Sequence, residues 1–324
     1  MESYYDFERP ISELEKKILD LQEMSRDGGM NLATEVESLQ RKLKELIQEI
    51  YANLSPWQRV QLSRHPSRPY ARDYIGFMIE DFIELHGDRK FSDDAAIIGG
   101  FGKLDGTPVL VIGQEKGRGT KEKIRRNFGM AKPEGYRKAI RLMEMASRFD
   151  VPILTLIDTP GAYPGIDAEE RGQSEAIADS IMRMFGLKVP VVSVVIGEGG
   201  SGGALAIACS DRILMQEYST YSVISPESCA SILWSDSTQS ESAAKVLKLS
   251  APEVKSLGVI EEIIPEPPGG AHRNPEAAAL ALKKRLSEIF KELGKKNGDE
   301  LKKQRTLRFR KMGAKAMVSA PVKG

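Results

Sequence analysis

Residues 197–203 read Gly-Glu-Gly-Gly-Ser-Gly-Gly, five glycines in seven positions, between the apolar run VVSVVI and the run ALAIA. Gly199, Gly200, Ser201, Gly202 and Gly203 together fit G-x-S-x-G, a pattern that carries the nucleophile of many serine hydrolases. A second segment, LIDTPGAYPGIDAEERGQSEAIA (156–178), repeats the order apolar strand, glycine-bearing turn, helix. Such a junction leaves the first N–H groups of the helix without intrahelical acceptors and turned outward. They suit a phosphate, or an oxygen that gains negative charge during a reaction. Glycine there lets a substrate approach the backbone closely. The plainer reading is that glycine only permits tight packing of helix on strand. Two such loops, each closing a fully apolar strand, favour the functional reading.

The hydroxyl of Ser201 competes with the amides around it. A serine nucleophile needs a base, usually histidine, oriented by a carboxylate. The chain has three histidines: His65 in a proline-rich connector, His86 at the end of an expected helix, and His272 in the loop PEPPGGAHRNPE. Position excludes none of them. A nucleophile elbow, however, sets its serine in a sharp turn with bulky flanks, and Ser201 is surrounded by glycine, so the amides are preferred. No Gly-Lys-Ser/Thr follows, which rules out a Walker A loop. The scattered G-x-G matches are weak alone, since a dinucleotide site also wants an acidic residue about 20 positions on.

The loops need an α/β frame. Apolar runs predict strands over 95–101, 108–113, 152–157, 190–196, 213–217, 221–224 and 259–264. Helical patterns lie near 73–85, 133–149, 169–185, 202–209, 227–234 and 241–257. PILTLI and PVVSVVI are apolar on both faces, as in a sheet covered by helices. Residues 73–265 are therefore read as an α/β core. Residues 1–72 form a helical region and connector: Ile11, Leu14, Ile18 and Leu21, then Val36, Leu39, Leu43, Leu46 and Ile50, describe a helical hairpin broken at Asp27-Gly28-Gly29. It packs on its own domain, clasps a partner chain, or does both. Residues 266–324 hold one more amphipathic helix, 275–293, and then a basic tail. Nine Lys/Arg face three Asp/Glu between 291 and 312, and the default expectation is a solvated tail, with an anionic partner as the alternative.

Bulk properties narrow the class. With 324 residues, the chain can bury a sizeable core. Its 47 Lys+Arg balance 46 Asp+Glu, so nothing global points to DNA or membrane. No run of about 18 apolar residues suggests a span, and the N-terminus lacks the apolar region of a signal peptide. Cys209 and Cys229, the two cysteines, belong to no CxxC, which argues against a disulfide framework or a zinc ribbon. A reducing cytoplasm is the expected setting. In QEKGRGTKEKIRRNFGM (114–130), Lys116, Arg118, Arg125 and Arg126 follow a core strand, so the stretch is either a solvated face or a contact for an anionic cofactor or carrier.

Four segments, EKGRGTKEKIRRNFGMAKPEGYRKAIRLMEMASRF, IDTPGAYPGIDAEERGQSEAIA, VIGEGGSGGALAIACSDR and YSTYSVISPESCASILW, closely resemble the α subunit of the carboxyltransferase of bacterial-type, multisubunit acetyl-CoA carboxylase. The resemblance extends from the N-terminal helices and LSPWQRVQLSRHPSRP to about residue 265. It implies a crotonase-like (ClpP/crotonase) superhelix of stacked ββα units with an N-terminal helical hairpin. It also implies transfer of a carboxyl group from carboxybiotin, on a separate biotin carboxyl carrier protein, to acetyl-CoA. The product is malonyl-CoA, for fatty acid synthesis. The implied partners are a β subunit, with zinc expected only there, in an α2β2 heterotetramer, and biotin carboxylase.

Alignment with the crotonase pattern places Ser201, Gly202 and Gly203 on its three glycines, with Gly200 beside them, and gives the first loop's contribution to Gly161-Ala162. Gly199, Tyr163 and Pro164 fall in the implied biotin pocket, and the hole is expected to hold the ureido oxygen, with acetyl-CoA mainly against the β subunit. Leu205 occupies the position of the hydratases' catalytic glutamate. Two departures stand out: Ser228 where most relatives are expected to have glycine, and Ala131-Lys132, taken as a surface loop. Other readings are a carboxyltransferase for propionyl-CoA or another acyl-CoA, an RNA binder working through the basic tail, and a serine peptidase of the same superfamily. Salt-dependent RNA binding and fluorophosphonate labelling of Ser201 discriminate the last two.

Overall fold

The computed structural model describes residues 4–27 and 32–313. Gly28 and Gly29 of the expected hairpin turn lie outside these residues. Two amphipathic helices flank the turn, α1 (Arg9–Asp27) and α2 (Ala33–Ala52). Their apolar faces pack on each other and on the rest of the chain: Ile11, Ile47 and Tyr51 share a cluster with Leu54, Leu62 and Tyr218. The connector holds α3 (Pro56–Ser63), opened by a capping box in which the Ser55 side chain accepts from the Gln58 N–H and the Gln58 side chain accepts from the Ser55 N–H.

The core follows as α4 (Ala71–Met78), β1 (Glu80–Glu84), β2 (Ile97–Leu104), β3 (Thr107–Gln114), α5 (Gly119–Arg125), α6 (Pro133–Arg148), β4 (Ile153–Thr159), α7 (Ile166–Glu170), α8 (Gln173–Gly186), β5 (Val191–Gly200), α9 (Ser201–Leu205), β6 (Arg212–Gln216), β7 (Thr220–Ser222), α10 (Pro226–Trp234), α11 (Ser240–Leu247), α12 (Ala251–Ser256) and β8 (Glu262–Ile264). Strand order in the sheet is β1-β2-β3-β4-β5-β6-β8, with β7 paired to the end of β5. β1, β2 and β3 are antiparallel, and β3 through β8 run parallel. Alternate residues of the parallel strands feed two cores. Ile112, Ile157 and Val195 meet α6, α8 and α12 on one face, while Val111, Leu156 and Val194 meet α4 and a C-terminal helix, α13 (Pro275–Leu293), on the other.

Three expectations need correction. The helix expected over 73–85 stops at Met78, and residues 80–84 form an edge strand. The cause lies in the partner strand: a side chain on Gly100 of β2 would overlap the Ile83 carbonyl oxygen, so only glycine lets β1 approach. The single helix expected over 241–257 is two, divided where Lys248 turns left-handed and Ser250 caps α12 with Glu253. The basic tail is not solvated throughout. Residues Gly298–Lys311 form α14, whose Arg305 is buried.

Arg305 explains why this helix docks. Its guanidinium donates to both oxygens of the buried Asp211, at 3.0 and 2.7 Å. It also donates to the carbonyls of Met184, Leu187 and Val189, at 2.6, 3.0 and 3.1 Å. Those carbonyls belong to the end of α8 and the turn after it, where acceptors lack helical donors. One side chain thus neutralises a buried carboxylate and caps a core helix. Arg305→Met leaves Asp211 buried without its cation and is expected to cost about 3–5 kcal/mol. Arg308→Met, which breaks a more exposed pair with Glu261, is expected to cost less. Urea unfolding of the two variants beside wild type checks the ranking.

Candidate active site

β4 and β5 are adjacent and parallel, with Thr159 opposite Gly199, so their C-terminal loops emerge side by side. The loops touch backbone to backbone. A Cβ on Gly200 would overlap the Pro160 carbonyl oxygen, and one on Gly203 would overlap Gly161 and Ala162. Side chains at 200 and 203 would push the loops apart. Gly202 is different, because a Cβ there would meet only Ile177, at ordinary contact distance.

The amides divide clearly. In the first loop the Gly161 N–H donates to Thr159 Oγ1 at 3.1 Å, and the Tyr163 N–H donates to the Ala131 carbonyl at 3.0 Å. The Ala162 N–H, between them, has no hydrogen-bond partner among the described residues. The space a Cβ would fill at Gly161 is open. In the second loop α9 has no side-chain N-cap. Its first-turn N–H groups, including those of Gly202 and Gly203, therefore lack intrahelical acceptors. Two sources of unpaired N–H thus sit on adjoining loops, an arrangement that suits one oxygen bearing partial negative charge.

Ser201 sits at the strand-to-helix turn with φ 56°, in the left-handed region, and is exposed. Its hydroxyl has no hydrogen-bond partner among the described residues. The imidazoles are engaged elsewhere. His86 pairs with Asp93. The His65 and His272 rings lie 4.1 Å apart between centroids, tilted by 33°, beside the buried Glu8. Three potential ligand atoms of Glu8, His65 and His272 fall within 4.8 Å; His272 Nδ1 is buried without a hydrogen-bond partner, while Glu8 and His65 Nδ1 are engaged by protein groups. Ser67 N–H donates to His65 Nδ1, and Tyr51 Oη and Tyr5 N–H hold the two oxygens of Glu8. This cluster is a joint that ties the N-terminal segment to the connector and to the loop before α13.

Next to the glycine loops lies a buried charged scaffold, of which the sequence reading singled out only Lys116, as a contact for an anionic ligand. Lys116 Nζ contacts Asp158 Oδ1 and Glu198 Oε2, each at 2.8 Å, and so links the ends of β4 and β5. Arg64 reaches Glu198 at 3.3 Å and Glu227 at 2.5 Å, bringing in the connector and α10. Burial disfavours the Lys116 ammonium, but Asp158 and Glu198 outweigh it and hold its pKa above the ordinary value. Burial pushes the Asp158 carboxyl up against the pull of Lys116. It also works on Glu198, where Lys116 and Arg64 prevail and lower the pKa.

The remaining sequence candidates are scattered in role. Lys116 is internal, and Arg126 is buried, donating to the Ala95 carbonyl and Glu122. Arg125 forks onto Glu122 at the surface, while Arg118 pairs with Asp73 and stands over the Tyr70 ring. Arg72, Arg118, Arg125 and Arg126 line a cleft of about 350 Å³ together with Asp73, Glu115 and Glu122, so its charge is nearly cancelled. Tyr163 is half-buried under Lys132, and Pro164 is exposed. Gly199 is buried with its open side against Tyr221. Leu205 closes α9 at 37% exposure. Ser228 lies in the first turn of α10, its N–H capped by Ser225. Ala131 is no surface residue: it is fully buried, and its carbonyl anchors Tyr163 and Gln173.

Two stability outcomes follow from this geometry. The left-handed backbone at Ser201 costs a non-glycine residue about 1–2 kcal/mol. Ser201→Gly is accordingly expected to match or exceed wild-type stability, and Ser201→Val to fall below it, in thermal melts. Lys116→Met removes the cation between two buried carboxylates, with an expected loss of about 3–5 kcal/mol near neutral pH. Asp158, left without its cation while Glu198 keeps Arg64, is then pushed further above its unfolded pKa by burial, so the folded chain binds more protons and stability falls as pH rises. The deficit against wild type is expected to be larger at about pH 8 than at about pH 5.5; a pH-independent deficit would assign Lys116 to packing alone.

Comparison with known proteins places this geometry. A family model described as acetyl co-enzyme A carboxylase carboxyltransferase-like matches residues 4–313. The acetyl-coenzyme A carboxylase carboxyl transferase subunit alpha of Geobacter metallireducens is 57% identical over 307 residues, covering 95% of this chain and 96% of that one. Its counterpart in Pseudomonas aeruginosa is 54% identical over 312 residues, covering 96% and 99%. Among solved structures, transcarboxylase 12S aligns with TM-score 0.53 and 17% identity over 65% of this chain and 41% of that one. A Pseudomonas malonate decarboxylase hetero-tetramer in complex with coenzyme A aligns with TM-score 0.55 and 17% identity over 71% and 92%. These likenesses show a crotonase-type α/β fold. The identity and coverage place the chain in the family of acetyl-CoA carboxylase carboxyltransferase α subunits, components of a biotin-dependent carboxyl-transfer enzyme of fatty acid synthesis.

Proposed function

We propose that the paired glycine loops form this chain's half of a shared carboxyltransferase site, with the Ala162 N–H on one side and the Gly202 and Gly203 N–H groups on the other. The observation that carries the reading is the unpartnered Ala162 amide opposite the uncapped first turn of α9, above an open face at Gly161. That opening fits a carbonyl-type oxygen, and the ureido oxygen of biotin is the one we assign to it. Carboxybiotin, presented by its carrier protein, supplies the carboxyl group for acetyl-CoA and a ureido nitrogen able to take up a proton.

The chain's own residues then have limited tasks. The amides orient the ligand and favour the form in which its oxygen carries more negative charge. Ser201 contributes a small side chain in a left-handed turn, and its hydroxyl has no assigned step. Lys116, Asp158 and Glu198 hold the strand ends that carry the loops. Val223, Ile232, Leu233 and Trp234 are exposed apolar residues at and beyond the end of β7, which pairs with β5 at Gly199 and Gly200. We assign the β subunit to this surface, next to the site it would complete.

The test is reconstitution with a cognate β subunit and an assay of malonyl-CoA-dependent carboxylation of free biotin. Activity is expected only with the β subunit, to survive Ser201→Ala, and to fall about 10²–10³-fold in folded Gly203→Ala, which displaces the donors. Loss in Ser201→Ala would return the hydroxyl to the mechanism. Absence of activity with a competent β subunit would overturn the assignment of acetyl-CoA.

A further inference from the structure

Gln114, the last residue of β3, is fully buried and makes two hydrogen bonds that no other side chain makes. Its Nε2 donates to the Gly203 carbonyl at 2.8 Å. Its Oε1 accepts from the Asp158 N–H at 3.2 Å. Both partners have lost their ordinary ones. In a continuing helix the Gly203 carbonyl would accept from residue 207, but the Ile207 N–H bonds Ala204 instead, because α9 tightens and ends. The parallel ladder between β3 and β4 ends at Gly113 opposite Leu156, and beyond it Glu115 N–H turns to the Ala96 carbonyl. The Gln114 amide fills both gaps. Its orientation is set, since reversing it would put oxygen against oxygen and N–H against N–H.

One carboxamide on a third strand therefore ties the base of the first glycine loop to the first turn after the second. We propose that Gln114 is a positioning residue for carboxyl transfer, fixing the separation between the Ala162 amide and those of Gly202 and Gly203. This inference rests on the reading of those amides as the pair that holds the ligand oxygen. A carboxamide meets the requirement because it is donor and acceptor at once, and uncharged at every working pH. A lysine ammonium here could only donate and an ionised carboxylate could only accept.

The experiment uses the full chain with its β subunit, free biotin and malonyl-CoA, and compares Gln114→Met, Gln114→Glu and Gly203→Ala. Gln114→Met keeps the volume and loses both hydrogen bonds. Its kcat is expected to fall about 10- to 100-fold, as for a small displacement of positioned groups, with KM for malonyl-CoA nearly unchanged. Gln114→Glu is the discriminating variant. As a neutral acid it can donate to the Gly203 carbonyl and accept from Asp158 N–H; once ionised it has no proton to give. Burial and the neighbouring Asp158 and Glu198 favour its neutral form, and Lys116 opposes them. Its kcat is expected to approach wild type at the acid end of the assay range and to decline with rising pH more steeply than wild type.

A residue that matters only for folding would change the melting temperature without that pH signature. If Gln114→Met and Gln114→Glu keep wild-type kcat and pH profile while Gly203→Ala loses activity, the positioning role is overturned and the amide pair stands. If folded Gly203→Ala also keeps full activity, the amide reading falls and this inference with it. Should Gln114→Met fail to fold, the pH profile of Gln114→Glu decides alone.

Discussion

Everything at the site depends on two backbones being in contact. The loops after β4 and β5 meet at Gly200 against Pro160 and at Gly203 against Gly161 and Ala162, with no room for a side chain. Backbone in contact with backbone leaves N–H groups near one another without side chains to satisfy them. Unpaired amides are costly when buried and useful when they open onto a ligand. The rest of the local structure holds this arrangement from below. Lys116 binds the ends of both strands electrostatically, and Gln114 binds them by hydrogen bonds. The Thr155 hydroxyl donates to the Ile207 carbonyl and accepts from the Ser193 hydroxyl, each at 2.7 Å, which fastens the turn after α9 to the same strands.

The scaffold uses burial to make weak interactions specific. A lysine between two carboxylates at the surface would contribute little. Inside, its removal leaves charges that water cannot reach, so the strand ends have one favoured spacing. The same logic recurs at the C-terminus, where Arg305 fills the acceptors at the end of α8 and neutralises Asp211. It recurs again where Arg68 forks onto the fully buried Glu266, which also accepts from the Tyr218 and Ala271 N–H groups. Each of these hubs joins segments far apart in sequence.

That explains which parts of the structure were legible beforehand. β4 and β5 are apolar on both faces, and their glycine turns are local signals, so the two loops could be read directly, while their pairing came only from the family resemblance. α6 and α13 declare themselves by periodicity. β1 does not: EDFIE continues a helical pattern, and the evidence for a strand sits in Gly100 of β2. The tail looked solvated because nine basic residues outweigh three acidic ones between 291 and 312. Only the fold shows that Arg305 faces Asp211. Gln114, Asp158 and Glu198 were passed over for a related reason. A polar residue ending an apolar strand carries a signal, but its partner lies across the sheet and cannot be paired from spacing alone.

The site's composition also bears on how the reaction divides between components. The two loops carry unpaired amides, a serine with no base beside it among the described residues and, at the end of α9, Leu205 where the resemblance places the hydratases' glutamate. Lys116, Asp158 and Glu198 are paired with one another, and Glu198 also with Arg64, which makes them poor proton carriers for a ligand at the loops. An oxygen held by N–H groups needs no proton from the protein, since the donors stabilise charge without transferring it. A chain with this arrangement can orient and polarise a ligand. The proton of the acyl substrate must then be handled by the ligand itself or by the facing subunit. Under the proposed assignment, loops that present amides in place of a titratable side chain suit polarisation of a ligand oxygen better than hydratase-type proton transfer.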